Sequence, residues 1–284
     1  MIDGSTSRNA APPSGAGVIE GFADALFSAE RQRRPILPLT DSCPGLSVHD
    51  AYLIQRKNVE RRIAAGERVL GHKIGLTAKA MQELFNVCEP DYGHLLDTMF
   101  HDEKQPLDLA ALIDPQIEVE PAFVLGRRLS GPDLTINDVI AATEYISVCF
   151  EVIDSRIINW RVKLQDTVAD NGSSAQVILG AAKVRPAGLD LANLHTELEV
   201  DGVVVETGNT RAILGHPANG VAWLARKISE FGLALEPGDV VLPGTCTRSY
   251  RIGGHQRVDG RIAGLGSVSV ALTGAPAIAN IRRT

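Results

Sequence analysis

The chain has 284 residues, 44% of them apolar, enough to bury a sizeable core in one large domain or in a compact domain with a helical extension. Its 28 Lys and Arg against 34 Asp and Glu leave a formal net charge of −6, which argues against a nucleic-acid partner because no basic stripe offsets it. Cys43, Cys88, Cys149 and Cys246 form no C-x-x-C pair, and no signal peptide or bilayer-spanning apolar run is evident, so a reduced, cytoplasmic setting away from membranes is expected.

Residues 1–17 are rich in Ser, Ala, Pro and Gly and read as a mobile tail. Ile19, Phe22 and Leu26 then recur at helical spacing, and the helix ends in the basic residues Arg31, Arg33 and Arg34. Beyond Pro35 and Pro38, Ser47 suits the N-cap of a second helix with a stripe of Val48, Tyr52, Val59 and Ile63, stopped by Gly66. Residues 18–68 therefore read as an N-terminal helical layer. From 69 to 284 the texture changes to short strands punctuated by Gly, Pro and Asp. Strands are expected over 69–75, 118–125, 150–154, 176–179, 240–242, 250–258 and 268–272, with a hairpin turning at Asp201-Gly202. Helices are expected over 77–85, capped by Thr77, over 136–148, and from Pro217 to 232. The fold class is α+β: a mainly antiparallel, strongly curved β-roll with helices outside.

The run IEVEPAFVL carries Glu118 and Glu120. A strand repeats every two residues, so both carboxylates point to one face, roughly 6–7 Å apart along it. Ala122 and Val124 continue that face, while Ile117, Val119, Phe123 and Leu125 line the other, the pattern of an interior strand. Two such carboxylates repel unless something positive separates them, and a divalent cation with oxygen ligands, Mg²⁺ or Mn²⁺, is the simplest candidate. An exposed edge pair is the alternative, and the pattern alone favours it.

Lys73 sits in an otherwise apolar strand, where an ammonium is costly unless paired or functional; a surface lysine is an equal reading. The junction Gly71–Thr77 could offer backbone N–H groups to an anion such as a carboxylate, yet it lacks the spacing of any nucleotide loop. The segments PDYG and DNGSS read first as turns. His72, His94 and His216 taken singly read as structural, and no hydrolase triad or zinc-protease helix is present.

Taken together, the blocks GHKIGLTAKAM, EPDYGHLLDTMF, IEVEPAFVL, EVIDSR, DTVADN, LGHPANGVAWLA and GLGSVSV resemble the 2-keto-4-pentenoate hydratase family. That family also holds 2-oxohept-4-ene-1,7-dioate hydratases and 4-oxalocrotonate decarboxylases, within the fumarylacetoacetate hydrolase superfamily. The resemblance covers nearly the whole chain after the tail. It implies a metal-dependent hydro-lyase that adds water to a 2-hydroxy-2,4-dienoate, giving a 4-hydroxy-2-oxo acid in aromatic catabolism. It places Mg²⁺ or Mn²⁺ on Glu118, Glu120 and Glu151, and sets Lys73 and Asp91 toward the substrate. Leu76, Thr77 and Ser173 fall in substrate-approaching segments, and Arg248 resembles a position of the dicarboxylate hydratases, which would suit a seven-carbon diacid. It further implies a homo-oligomer able to form a complex with another enzyme of the pathway. Two rivals accompany it. One is a vinylogous decarboxylase, whose branch tends to carry an apolar residue in place of Asp91. The other is a non-catalytic partner subunit, for which the retained carboxylates and Lys73 would be superfluous.

Overall fold

The computed structural model describes residues 15–278, so the expected tail lies outside the described residues except for 15–17. The first helix, α1 (Ala16–Gln32), already begins there. It buries Ile19, Ala23, Leu26 and Ala29 and ends at Arg33 in the left-handed region, φ 54. After the short α2 (Leu39–Ser42) comes α3 (Val48–Ala64), opened as expected by Ser47. The Ser47 hydroxyl accepts from the Asp50 N–H while the Asp50 carboxylate accepts from the Ser47 N–H, a reciprocal cap. Of the expected stripe Val59 is buried, Val48 and Tyr52 are half-buried and Ile63 is exposed; Asp50, Ala51, Ile54 and Gln55 complete the buried face. These helices pack on Ile157, Val168 and Ala169 as one apolar cluster.

The rest of the chain builds two sheets. In order come β1 (Val69–Gly75), α4 (Lys79–Leu84), β2 (Asp91–Leu96), β3 (Phe100–His101), β4 (Leu107–Asp108), β5 (Gln116–Leu125), α5 (Ile136–Ala142) and β6 (Thr143–Ile153). Then follow α6 (Leu164–Ala169), β7 (Ser174–Leu179), β8 (His195–Val200), β9 (Val203–Asn209), α7 (Pro217–Ser229), β10 (Val240–Leu242), β11 (Tyr250–Arg251), β12 (Arg257–Ile262) and β13 (Gly266–Thr273). The larger sheet runs β2-β1-β10-β5-β6-β7-β3, with β11 also on β5; the smaller runs β4-β13-β12-β8-β9. Antiparallel pairing dominates, and β1–β10, β3–β7 and β4–β13 are parallel. The expected curved α+β roll is the observed architecture.

The strand β5 is interior on both faces. Ile117, Val119, Phe123 and Leu125 join the main core with Phe150, Leu198, Val258, Val268 and the α7 residues Val221 and Leu224. Ala122 and Val124 face a second cluster with Leu95, Cys149, Val177 and Leu242. An exposed edge pair at Glu118 and Glu120 is thereby excluded.

Several expected elements differ. The helix over 136–148 stops at Ala142, because the β-branched and aromatic run from Thr143 pairs with β5 along its length. PDYG is no turn: Asp91 opens β2, paired with β1 from Gly75↔Asp91 onward. The helix over 77–85 shrinks to α4 with no side-chain cap, since Thr77 is buried elsewhere. The strand over 250–258 breaks into β11 and β12 around Gly253 and Gly254. The Asp201-Gly202 hairpin, with both residues at positive φ, and Pro217 at the head of α7 are as expected.

Candidate active site

Antiparallel pairing of β5 with β6 sets Glu118 opposite Glu151 and Glu120 opposite Cys149. Glu118, Glu120 and Glu151 thus share one face, and a carboxylate oxygen from each lies within 4.8 Å of the others. From β1, the Lys73 ammonium reaches Glu151 Oε1 at 3.2 Å. From β2, Asp91 stands across from Gly75, where a Cβ would lie 2.2 Å from Asp91 Oδ1. Only glycine leaves that carboxyl its place.

The loop after α6 closes the site. Asn171 bridges to β2: its side-chain oxygen accepts from the His94 N–H (2.8 Å) and its amide donates to the His94 carbonyl (2.9 Å). This anchors Gly172, at φ 61, directly over Lys73, where a Cβ would lie 3.0 Å from Lys73 Cδ and Cε. Gln55 of α3 adds a second brace, donating to the carbonyls of Tyr92 (3.0 Å) and Val168 (2.8 Å). The helical layer therefore holds β2, and with it Asp91, in position.

The electrostatics are those of crowded acids. Lys73 is surrounded by Glu151, Asp91, Glu118 and Glu120; burial opposes its charge, but these carboxylates outweigh it and hold the ammonium well above the usual lysine range. Burial and the Glu151 charge push Glu118 up to about 7 and Glu120 well above the ordinary range. Burial raises Asp91 too, although Lys73 pulls the other way. Glu120 accepts one backbone hydrogen bond, from Gly244 at 2.9 Å. Apart from the Lys73 ion pair at Oε1, the fully buried Glu151 carboxylate accepts no hydrogen bond, and Asp91 Oδ1 is likewise without one. Buried carboxylate oxygens without donors are costly unless a cation completes them. The convergence of Glu118, Glu120 and Glu151, an all-oxygen donor set, fits a divalent metal ion of the hard class.

A cavity of about 220 Å³ opens onto this cluster. Lys73, Leu76, Thr77, Asp91, Glu118 and Ser173 all line it. Arg248 does not: it is exposed, while its neighbours Thr245 and Ser249 face the cavity. Gln116, Met81, Phe85, Trp160, Val162 and Thr167 line it as well and were not singled out from sequence. Three of them lie in stretches that drew attention or adjoin one: Met81 ends the GHKIGLTAKAM block, Gln116 precedes the glutamate strand and Thr167 lies in DTVADN. His72, His94 and His216 stay off the cavity; His94 bonds Gln55 and His216 caps α7. Burial lowers His72 to about 3 and His94 to about 4, so both are neutral.

The family model for the fumarylacetoacetate hydrolase C-terminal domain matches residues 100–273, the span holding all three glutamates. The chain belongs to the fumarylacetoacetate hydrolase family. Within it, the chain is 41% identical over 257 residues to a 2-hydroxyhexa-2,4-dienoate hydratase of Comamonas testosteroni, covering 90% of this chain and 97% of the relative. It is 43% identical over 233 residues to a 2-oxo-hept-4-ene-1,7-dioate hydratase of Escherichia coli, covering 80% and 87%. Among solved structures, 4-oxalocrotonate decarboxylase from Pseudomonas putida G7, complexed with magnesium and adipate, superposes with a TM-score of 0.87 at 34% identity over 92% of this chain and all of that one. No described helix is long and apolar enough to cross a membrane.

Proposed function

We propose that this chain is a metal-dependent hydro-lyase of aromatic-compound breakdown that adds water to a 2-hydroxy-2,4-dienoate and releases a 4-hydroxy-2-oxo acid. The observation that carries this reading is the convergence of Glu118, Glu120 and Glu151, with Glu151 fully buried and answered by the Lys73 ion pair alone. Mg²⁺ or Mn²⁺ held by these three carboxylates would supply a Lewis acid for the oxygens of a 2-oxo acid. Lys73, kept charged by its acidic neighbours, stabilises negative charge on the enolate oxygen of the substrate. Asp91, raised by burial and with Oδ1 without a hydrogen-bond partner, is placed to shuttle protons: it takes the enol O–H proton and returns it to the terminal carbon, then takes one from the attacking water and returns it to C3. Protonation at the terminal carbon makes a 2-oxo-3-enoate, and water then adds at C4 as C3 is protonated. Leu76, Thr77 and Ser173 line the cavity that would receive the acid. The same proposal takes 18–68 as a bracing helical layer on a catalytic roll over 69–284. It places the protein in the cytoplasm as a homo-oligomer able to dock on a pathway enzyme.

The likeness to 4-oxalocrotonate decarboxylase supports a second reading, in which the same charge stabilisation releases CO₂. A product assay decides between the two. With Mg²⁺ or Mn²⁺, 2-hydroxypenta-2,4-dienoate, its 1,7-dioate relative and 4-oxalocrotonate are supplied in parallel. Dienol absorbance lost to a 4-hydroxy-2-oxo acid, with turnover reduced roughly 10²–10⁴-fold in Asp91→Asn, is the expected result. CO₂ from 4-oxalocrotonate alone would make the chain a decarboxylase.

A further inference from the structure

Away from the carboxylates the cavity changes character. Met81 and Phe85 from the α4 segment, Ile153 at the end of β6, and Trp160 and Val162 in the next loop form an apolar wall. Phe85, Trp160 and Val162 also line an adjoining surface depression, which sets this wall on the solvent side. Lys73 is the one cation among the lining residues, and it is engaged by Glu151. Arg248 takes no part in the lining, and Lys163 lines only the adjoining depression.

Trp160 is held in this wall by two independent features. Its indole Nε1 donates to the Asp114 carbonyl at 3.0 Å. Its backbone and that of Asn159 both lie in the left-handed region, φ 55 and 56. That conformation is strained for a bulky aromatic, and a fold retains such strain where a side chain must take one direction.

We infer that this wall sets specificity: the chain selects dienoates whose end remote from the 2-oxo acid carries an uncharged apolar group, and it rejects those ending in a second carboxylate. This rests on the hydratase reading for the orientation of the substrate. An alkyl end covers apolar surface on both partners, whereas a carboxylate end would lose water without meeting a free cation.

Equilibrium binding tests the wall without turnover. The full-length, metal-loaded chain is titrated calorimetrically with 2-oxohexanoate and with 2-oxoadipate, which differ by a terminal carboxylate. The former should bind at least about tenfold tighter. Kinetically, Trp160→Ala should lower the kcat/KM ratio of 2-hydroxyhexa-2,4-dienoate to the unsubstituted pentadienoate about tenfold. Met81→Arg, on a half-exposed helix position and so safe for folding, should shift preference about tenfold toward the diacid. Equal binding of the two 2-oxo acids, or a Trp160→Ala variant that slows all dienoates alike, overturns the wall. If Trp160→Ala does not fold, the binding comparison and Met81→Arg decide. Selective binding of 2-oxohexanoate with no dienoate hydrated would sink the hydratase reading and leave the wall standing.

Discussion

Where β6 ends, the chain passes from Glu151 to Asp154 and Arg156, and so from one buried charge cluster to another. In the second cluster every charge is answered. Arg156 donates to Asp170 Oδ1 (2.5 Å) and to the carbonyls of Asp154 (2.8 Å), Ser174 (3.2 Å) and Asp170. Asp154 accepts from the backbone N–H groups of Ile113 (2.8 Å) and Asp114 (2.7 Å). In the first cluster four carboxylates surround one ammonium, which pairs with Glu151, and beyond that pair neither Glu151 nor Asp91 Oδ1 receives a hydrogen bond. The two lie a few residues apart on the same stretch of chain and differ in how far their charges are met. A saturated cluster ties loops together, and an unsaturated one keeps valence for a ligand.

The largest expected effect separates them most sharply. Glu151→Gln keeps shape and removes one charge. Turnover should fall about a thousandfold, as when a group acting on developing charge is lost. Melting of the metal-free protein should not fall, because one of several mutually repelling carboxylates is gone. A melt lowered by many degrees with turnover intact would move Glu151 into the scaffold.

Asp170→Asn is the mirror experiment. It strips a buried guanidinium of its counter-charge, and breaking such a pair costs about 3–5 kcal/mol. Chemical denaturation should show that loss, with metal affinity per folded molecule unchanged. Undiminished stability would mean that the hydrogen-bond inventory around Arg156 overstates what holds the loop.

Sequence patterns reached the unsaturated cluster more readily than its partner. A period-two run with Glu118 and Glu120 on one face and apolar residues on both sides is legible because strand geometry is local. Ser47 and Asp201-Gly202 are legible for the same reason. What brings Lys73 to Glu151 is pairing through β10 between strands far apart in sequence, and only the family resemblance anticipated it. PDYG was misread because Pro, Asp and Gly favour turns in isolation, whereas Gly93 here allows close approach to the Asn171 carbonyl. The 136–148 helix overran because a helical stripe and a two-sided buried strand look alike in a short apolar run. Trp160 had no local signal at all, since its backbone strain and its bond to Asp114 are tertiary.

Protons should compete with metal for the unsaturated cluster. Glu118 is raised from 4.5 to about 7, so the metal-free folded chain holds a proton there that the unfolded chain releases near the lower value. Between these limits the native state binds more protons, and metal-free stability should fall as pH rises, by at most about 1.4 kcal/mol per pH unit for one proton. Metal binding displaces that proton, so affinity should weaken up to about tenfold per unit below pH 7. Calorimetry of Mn²⁺ binding in two buffers of different ionisation enthalpy counts the released protons. A count of zero at pH 6 would place the metal away from Glu118.

The smallest effect tests the border between the clusters. Ser173 lines the cavity, yet its hydroxyl donates to Asp170 Oδ2 at 3.1 Å and its carbonyl accepts from Asp154 N at 2.8 Å. By its bonds the side chain belongs to the saturated cluster, and only its position belongs to the site. Ser173→Ala removes one of several donors to Asp170, so stability should drop by about 1 kcal/mol and turnover should change less than about threefold. Asp170 would keep Arg156, and the Asp154 bond to the 173 carbonyl would survive the substitution. A tenfold rise in KM with an unchanged melt would show the hydroxyl turning to the substrate, and the boundary between ligand-binding and loop-holding charge would then run through Asp170 itself.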